Sequence, residues 1–319
     1  MTKASIIIPS YNSASFLTET INSILNQGVK DLEILIIDDG STDNTQEIVQ
    51  TFPKETVRYI YQTNSGGPAK PRNIGINESQ GQYIFIFDSD DIMLLNKISE
   101  TIKALDSNPD AIAAFSNFQT IDDEGKILNE DFLKEYDTLL SLIPENSNKS
   151  YHQISPSTLF ERLIKVNFIG TSSIALRSSL VKGNYTFDER MLNSDDRLMW
   201  ITLAKKHPFV FINQKLHQYR IRENSISQLG FLRRAPSKIL GLQQILELCD
   251  AAKQRAIVKK QLQRDFLTLA YAHRLKKEFR RAHSAVVSSL RYGVTFKSIQ
   301  TFLGIYKEIL KSFSHCTSV

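Results

Sequence analysis

The chain opens on Ser5-Ile6-Ile7-Ile8-Pro9 and then alternates short apolar runs with stretches of helical spacing as far as residue 118. Strands are expected at 5–9, 32–38, 57–61, 83–88 and 111–118. Several are rich in Ile or Phe and scarcely alternate, as strands covered on both faces do. Between them Phe16, Thr20, Ile21, Ile24 and Leu25 recur at helical intervals, with Ser13 or Ser15 placed to cap the helix. Thr42-Asp43-Asn44-Thr45 opens a second helix. Asn64-Ser65-Gly66-Gly67-Pro68 is a loop leading into a third at 69–78, and a fourth is expected at 96–105. This rhythm of βαβ units predicts an α/β fold with a mostly parallel central sheet.

Beyond residue 121 the pattern weakens. Residues 122–155 are polar, rich in Asn, Glu and Ser, and read as an insertion or mobile loop. Helical spacing returns at 158–165 and 197–205, and again at 239–248 and 257–275. After residue 228 the composition shifts to helix formers, so the chain divides into an α/β domain at 1–228 and a C-terminal helical extension at 229–319. Charge divides the same way: residues 230–319 hold 17 Lys or Arg against 5 Asp or Glu, a net +12, while residues 1–229 carry about −7. A basic extension of this kind predicts peripheral contact with a membrane surface or self-association through its helices, rather than a nucleic-acid partner.

At 319 residues with 41% hydrophobic and 23% charged content the composition is that of an ordinary globular protein, without an apolar run fit to span a bilayer. The first residues lack the sequence of regions that makes a signal peptide, which places the protein in the cytoplasm, with contact at the inner face of the membrane as the further expectation. Cys249 and Cys316 stand far apart and indicate neither a disulfide framework nor a zinc site.

In a doubly wound sheet, ligands gather beyond the carboxyl ends of the strands. Here those ends read Pro9-Ser10-Tyr11-Asn12, Asp38-Asp39-Gly40-Ser41 and Asp88-Ser89-Asp90-Asp91. Carboxylates crowded on one edge repel one another unless a cation or hydrogen-bond donors compensate. Mg2+ or Mn2+ suits such a short acidic turn, because each binds through one or two carboxylates and completes its shell with water and phosphate oxygens. Gly66-Gly67-Pro68-Ala69-Lys70-Pro71-Arg72-Asn73 joins a turn, a helix start and two cations, Lys70 and Arg72, that together suit a diphosphate. It has neither P-loop nor Rossmann spacing. Each segment alone also reads as an ordinary capped helix or solvated turn.

Taken together, residues 5–12, Ile36-Ile37-Asp38-Asp39-Gly40-Ser41-Thr42-Asp43, Arg72-Asn73-Ile74-Gly75 and Asp88-Ser89-Asp90-Asp91 resemble the family 2 glycosyltransferases of GT-A fold, in order and in spacing. The resemblance continues through Asp195-Asp196-Arg197-Leu198-Met199-Trp200 and Tyr219-Arg220 and leaves the extension outside it. It implies that Pro9 and Tyr11 line a base pocket, that Asp39 accepts a hydrogen bond from the base, and that Arg72 holds the nucleotide. Asp88 would face the ribose, Asp90 would bind the metal bridging the two phosphates, and Ser89 and Asp91 would complete the contacts to nucleotide or sugar. The pair Asp195-Asp196 stands where the family usually has Glu-Asp, one carboxylate of which is the general base; the second position, Asp196, is favoured. Arg222 stands where related sequences often carry His, and a guanidinium can keep a phosphate contact but cannot ligate a metal. The activity implied is inverting, metal-dependent transfer from a nucleotide-diphosphate sugar, UDP-linked by expectation, to a glycan, lipid-linked or glycoprotein acceptor. A nucleotidyltransferase and a silent nucleotide-sugar-binding scaffold are the alternatives.

Overall fold

The computed structural model describes residues 2–143, 150–223 and 225–316, with side chains described through Glu308. Among the described residues ten strands form one sheet: β1 (Ala4–Ser10), β2 (Leu32–Asp38), β3 (Val57–Tyr61), β4 (Tyr83–Ile86), β5 (Ile92–Met93), β6 (Ala113–Ile121), β7 (Ile127–Asn129), β8 (Tyr151–Ile154), β9 (Ile174–Arg177) and β10 (Phe209–Arg220). The main order is β3-β2-β1-β4-β9-β6-β10-β5, with β7 paired to β6 and β8 to β10. The segment β3-β2-β1-β4 is parallel throughout, and β6 runs parallel to β10. β9 pairs antiparallel with both β4 and β6 and so joins the two parallel parts. The α/β reading with a largely parallel central sheet and C-terminal helices therefore holds.

The helices of the sheet-bearing part are α1 (Ala14–Leu25), α2 (Thr45–Gln50), α3 (Ala69–Glu78), α4 (Lys97–Asp106), α5 (Asp137–Leu140), α6 (Pro156–Leu163), α7 (Ser178–Val181) and α8 (Asp195–Ala204). Ile6, Ile8, Ile34, Ile36, Phe85 and Phe87 are fully buried in one core with Leu17, Ile21 and Ile24 of α1. This is why β1, β2 and β4 carry unbroken apolar runs: helices cover both faces. Helix α3 lies close against β1. A Cβ at Gly75 would collide with the Ile7 side chain, so only glycine lets the two approach this closely.

The expectation of an irregular insertion at 122–155 fails at both ends. β7 extends β6, β8 pairs antiparallel with β10, and Leu133 and Leu139 are buried. Strands of three and four residues are too short to establish a period in the sequence. Residues 144–149 of that stretch lie outside the described residues. Strands β9 and β10 also went unread, although Phe209-Val210-Phe211-Ile212 is a buried apolar run of the kind that marked β1.

The chain separates into two compact units, Met1–Ser225 and Ile226–Val319. The second consists of α9 (Phe231–Leu248), α10 (Ala252–Leu275), α11 (Phe279–Leu290) and α12 (Phe296–Cys316). Leu267, Ala270, Ala282, Ala285, Val286 and Ile305 form its own small core. Cys249 is buried and unbridged, while the Cys316 side chain lies outside the described residues. Among the described residues no helix is long and apolar enough to cross a membrane.

Candidate active site

The acidic turn after β4 is held from two directions. From α1, the Thr20 hydroxyl donates to the carbonyls of Ser89 and Asp91 at 3.1 and 2.9 Å, and the Ser13 hydroxyl meets that of Ser89 at 2.7 Å. Ser13 thus starts α1 without capping it by side chain; the Ala14 N–H is instead taken by Asp43 at 3.1 Å. From the end of β10, the Arg220 N–H donates to Asp91 Oδ1 at 2.9 Å and its Nε to the Asp90 carbonyl at 2.9 Å. The same guanidinium reaches the carbonyls of Asp122 and Asp123 and forms an ion pair with Glu19 at 2.6 Å.

Arg222, two residues on, places Nε 2.8 Å from Asp90 Oδ2. The Phe16 ring lies against both guanidinium groups, 4.9 Å from Arg220 and 4.8 Å from Arg222. Burial pushes the Asp90 carboxyl up to about 6, against the pull of Arg222 and with the push of Asp88. Asp91 is completely buried, and burial, then Asp90 and Asp88, hold its carboxyl well above the ordinary range. Beneath the turn Lys97 is buried with its ammonium near Ser116 Oγ and the Ser173 carbonyl, both at 3.3 Å. Burial pulls Lys97 down to about 7, with Asp91 opposing the fall.

A second knot ties two distant segments. Arg72 of α3 is buried, donating through Nη1 to Asp195 Oδ2 at 2.7 Å and through Nη2 to Asp88 Oδ1 at 3.3 Å. Burial opposes its charge, yet Asp195 and then Asp88 hold the guanidinium above its ordinary value. Next to Arg72, the Asn73 side-chain amide exchanges hydrogen bonds with the backbone of Phe187 at 2.8 and 2.9 Å, pinning the segment before α8. Ser194 enters α8 with φ of 64°, a left-handed conformation unusual for a residue with a Cβ. Asp195 is buried on Arg72, whereas Asp196 is partly buried and accepts hydrogen bonds from Asn167 Nδ2 at 3.2 Å and from the Arg197 N–H. Burial and then Asp195 push the Asp196 carboxyl up to about 6, against Arg72.

The remaining candidates lie at the ends of β1 and β2 and the start of α3. Tyr11 is 52% exposed and Pro9 is partly buried. Asp39 is buried, accepting from the Ser65 N–H at 2.9 Å, from the Ser65 hydroxyl at 3.0 Å, and from Gln62 Nε2. Its neighbour Asp38 accepts from Tyr59 at 2.5 Å and from the Ser41 N–H at 2.8 Å. Lys70 is exposed on the first turn of α3. The turn Asp88–Asp91 thus stands beside Arg72, Asp195 and Arg222, while Lys70 makes none of these contacts.

A divalent cation fits the acidic turn by the chemistry of its donors. Carboxylates whose protons are held by burial and mutual repulsion gain from a cation, and Mg2+ and Mn2+ prefer oxygen ligands. Among the described residues no three His, Cys, Asp or Glu side chains converge into a complete cage. Oxygens from a bound phosphate would be needed to finish the shell.

A profile described as glycosyl transferase family 2 matches residues 5–179. The chain belongs to this family. An uncharacterized glycosyltransferase of Rickettsia bellii is 30% identical over 221 residues, which cover 69% of this chain and 29% of the relative. The chain therefore spans about a third of the length of the Rickettsia proteins it matches. A Campylobacter jejuni protein named GalNAc(5)-diNAcBac-PP-undecaprenol beta-1,3-glucosyltransferase is 29% identical over 297 residues, 91% of this chain and 89% of that one. Among solved structures, residues 1–349 of S. aureus TarS in complex with UDP-GlcNAc align over 98% of this chain and 92% of theirs, with a TM-score of 0.69 and 19% identity. The mannosyltransferase PcManGT from Pyrobaculum calidifontis, in complex with GDP-Man and Mn2+, aligns over 99% and 83% with a TM-score of 0.58 and 15% identity. These likenesses confirm the GT-A fold expected of the family.

Proposed function

We propose that this family 2 member transfers a sugar from a UDP-sugar to a hydroxyl of a glycan acceptor, with inversion and with help from Mn2+ or Mg2+. The observation that supports this most is the Arg72 bridge, which joins the acidic turn at Asp88 to the carboxylate pair at Asp195. That bridge supports a diphosphate site and a base within reach of one donor. Proteins of the same fold are found with UDP-GlcNAc or with GDP-Man and Mn2+, in keeping with this reading.

Asp196 acts as the general base in this proposal. Its carboxyl is pushed up to about 6, while Asp195 is committed to Arg72. The acceptor oxygen forms its bond to the anomeric carbon as its proton passes to Asp196. The bond from that carbon to the phosphate oxygen breaks, and its electron pair leaves with the nucleoside diphosphate. Asp90 would hold the divalent ion, which when bound would neutralise charge on the departing diphosphate, and Asp88 would face the ribose. Arg222 can add a guanidinium contact to the same phosphates, and Arg72 keeps Asp88 and Asp195 in place. Pro9, Tyr11 and Asp39 flank the base side of the cleft. Asp39 acts there through the Ser65 loop it already anchors. Ser89 and Asp91 serve by shaping the turn, and Lys70 supplies a mobile cation near the nucleotide.

The acceptor is a lipid-linked glycan of bacterial surface polysaccharide or glycoprotein synthesis, a reading supported by the name of the Campylobacter relative. Incubation with UDP-, GDP- and dTDP-sugars, Mn2+ and a polyprenyl-diphosphate oligosaccharide tests the proposal. Release of UDP together with an acceptor one sugar heavier is expected. Release of pyrophosphate from UTP and a sugar 1-phosphate in a parallel incubation would make the protein a nucleotidyltransferase, and binding without release in either would make it a scaffold.

A further inference from the structure

We infer that the α11–α12 hairpin docks the protein on an anionic lipid surface, its apolar tip entering the headgroup layer and its cations meeting acidic headgroups. The inference rests on the second unit alone and stands or falls apart from the donor chemistry.

The His283 ring lies 5.7 Å from Phe302 and 5.8 Å from Tyr306. The start of α11 thus meets the middle of α12, the two helices fold back on each other, and residues 291–295 form the tip. The inner side is satisfied: Ala282, Ala285, Val286 and Ile305 share a core with Leu267 and Ala270, and Phe302 packs against it. The outer side is not. Phe296, Ile299, Leu303 and Tyr306 recur at helical spacing on α12, and all are exposed. At the tip, Val294 is 70% and Phe296 75% exposed, and Val287 and Leu290 continue the apolar surface on α11. A contiguous row of large exposed apolar groups marks a binding surface, unlike the scattered ones common on any protein.

Charge identifies what covers it. Between Glu278 and Glu308 the chain has no acidic residue and five cations, Arg280, Arg281, Arg291, Lys297 and Lys307. All five are exposed. A second copy docking through the same face would set these cations against themselves, because a two-fold interface is self-complementary. Arg281 already pairs with Glu278 at 3.5 Å, and an uncharged apolar partner would leave the other four uncompensated. A bilayer with anionic lipids meets both demands at once: apolar depth for Val294 and Phe296 and negative potential for Arg291 and Lys297 beside them.

Sedimentation of the full chain with phosphatidylcholine vesicles, and with the same vesicles containing phosphatidylglycerol, tests the inference. Binding is expected on the anionic vesicles only and is expected to weaken as salt is raised. The double variants Val294→Ser/Phe296→Ser and Arg291→Glu/Lys297→Glu should each weaken partitioning by about tenfold or more. Their melting curves should match the parent, since the side chains are exposed. Equal binding to neutral vesicles, binding that survives charge reversal, or no binding at all would overturn the inference. So would light scattering that shows a dimer dissociated by the serine variant in a protein that ignores vesicles.

Discussion

Asp195 and Asp196 are chemically identical neighbours placed in opposite circumstances. Asp195 is buried against Arg72 at 2.7 Å, and Asp196 is partly buried, its carboxyl pushed up to about 6 by burial and by Asp195. A base must hold its proton loosely enough to release it and tightly enough to take it, so the raised carboxyl is the one suited to the work. The rate kcat/KM should therefore fall on the acid side as Asp196 is protonated, with a limb near pH 6 and a plateau above. Asp196→Asn should lower kcat by about 10²–10⁴. The sign for stability is opposite. An unfolded Asp ionises near pH 4, whereas this one ionises near pH 6 when folded. Ionisation thus penalises the native state increasingly between those values and by a constant amount above them. Asp196→Asn should raise the melting midpoint above pH 6 and leave it unchanged below pH 4, which thermal scans across that window measure.

At the scale of elements, the end of β10 is what fixes the acidic turn. Arg220 spans the carbonyls of Asp90, Asp122 and Asp123 and the carboxylate of Glu19, a fork that Lys cannot reproduce. Arg220→Lys should lower unfolding free energy by about 1–3 kcal/mol in a urea titration, because several acceptors around the buried guanidinium lose their donor. Sequence pattern made β1 to β4 and β6 legible, since continuous apolar runs such as Ile6-Ile7-Ile8 have one good solution, and the strand ends then located the acids. It did not reveal the role of Arg220. Its partners are backbone carbonyls and a carboxylate up to 201 residues away, and nothing in the spacing of side chains encodes them. Asn167 escaped for the same reason. It stands in no motif and reaches Asp196 only through the fold. Short edge strands such as β7 and β8 were hidden because two to four residues cannot establish a period.

For the whole molecule, burial and charge are divided between two units. The unit Met1–Ser225 carries the acidic cleft, and Ile226–Val319 carries the basic helices. A ligand of the cleft that binds only the folded state stabilises that state by mass action, whatever the helices do. UDP and Mn2+ together, at about a hundredfold over their dissociation constants, contribute about 2.7 kcal/mol. In a unit of this size that amounts to a rise of roughly 5–10 °C in the cleft's melting transition. Chelation should return the midpoint to its starting value. Asp90→Ala should remove the rise while leaving the ligand-free protein as stable or more so, because burial holds the Asp90 carboxyl up to about 6 despite Arg222. Differential scanning calorimetry with UDP, Mn2+ and both together separates the contributions. If UDP alone gave the full rise, the nucleotide would be held by Arg72 and Arg222 without a metal, and Asp90 would serve only as the counter-ion of Arg222.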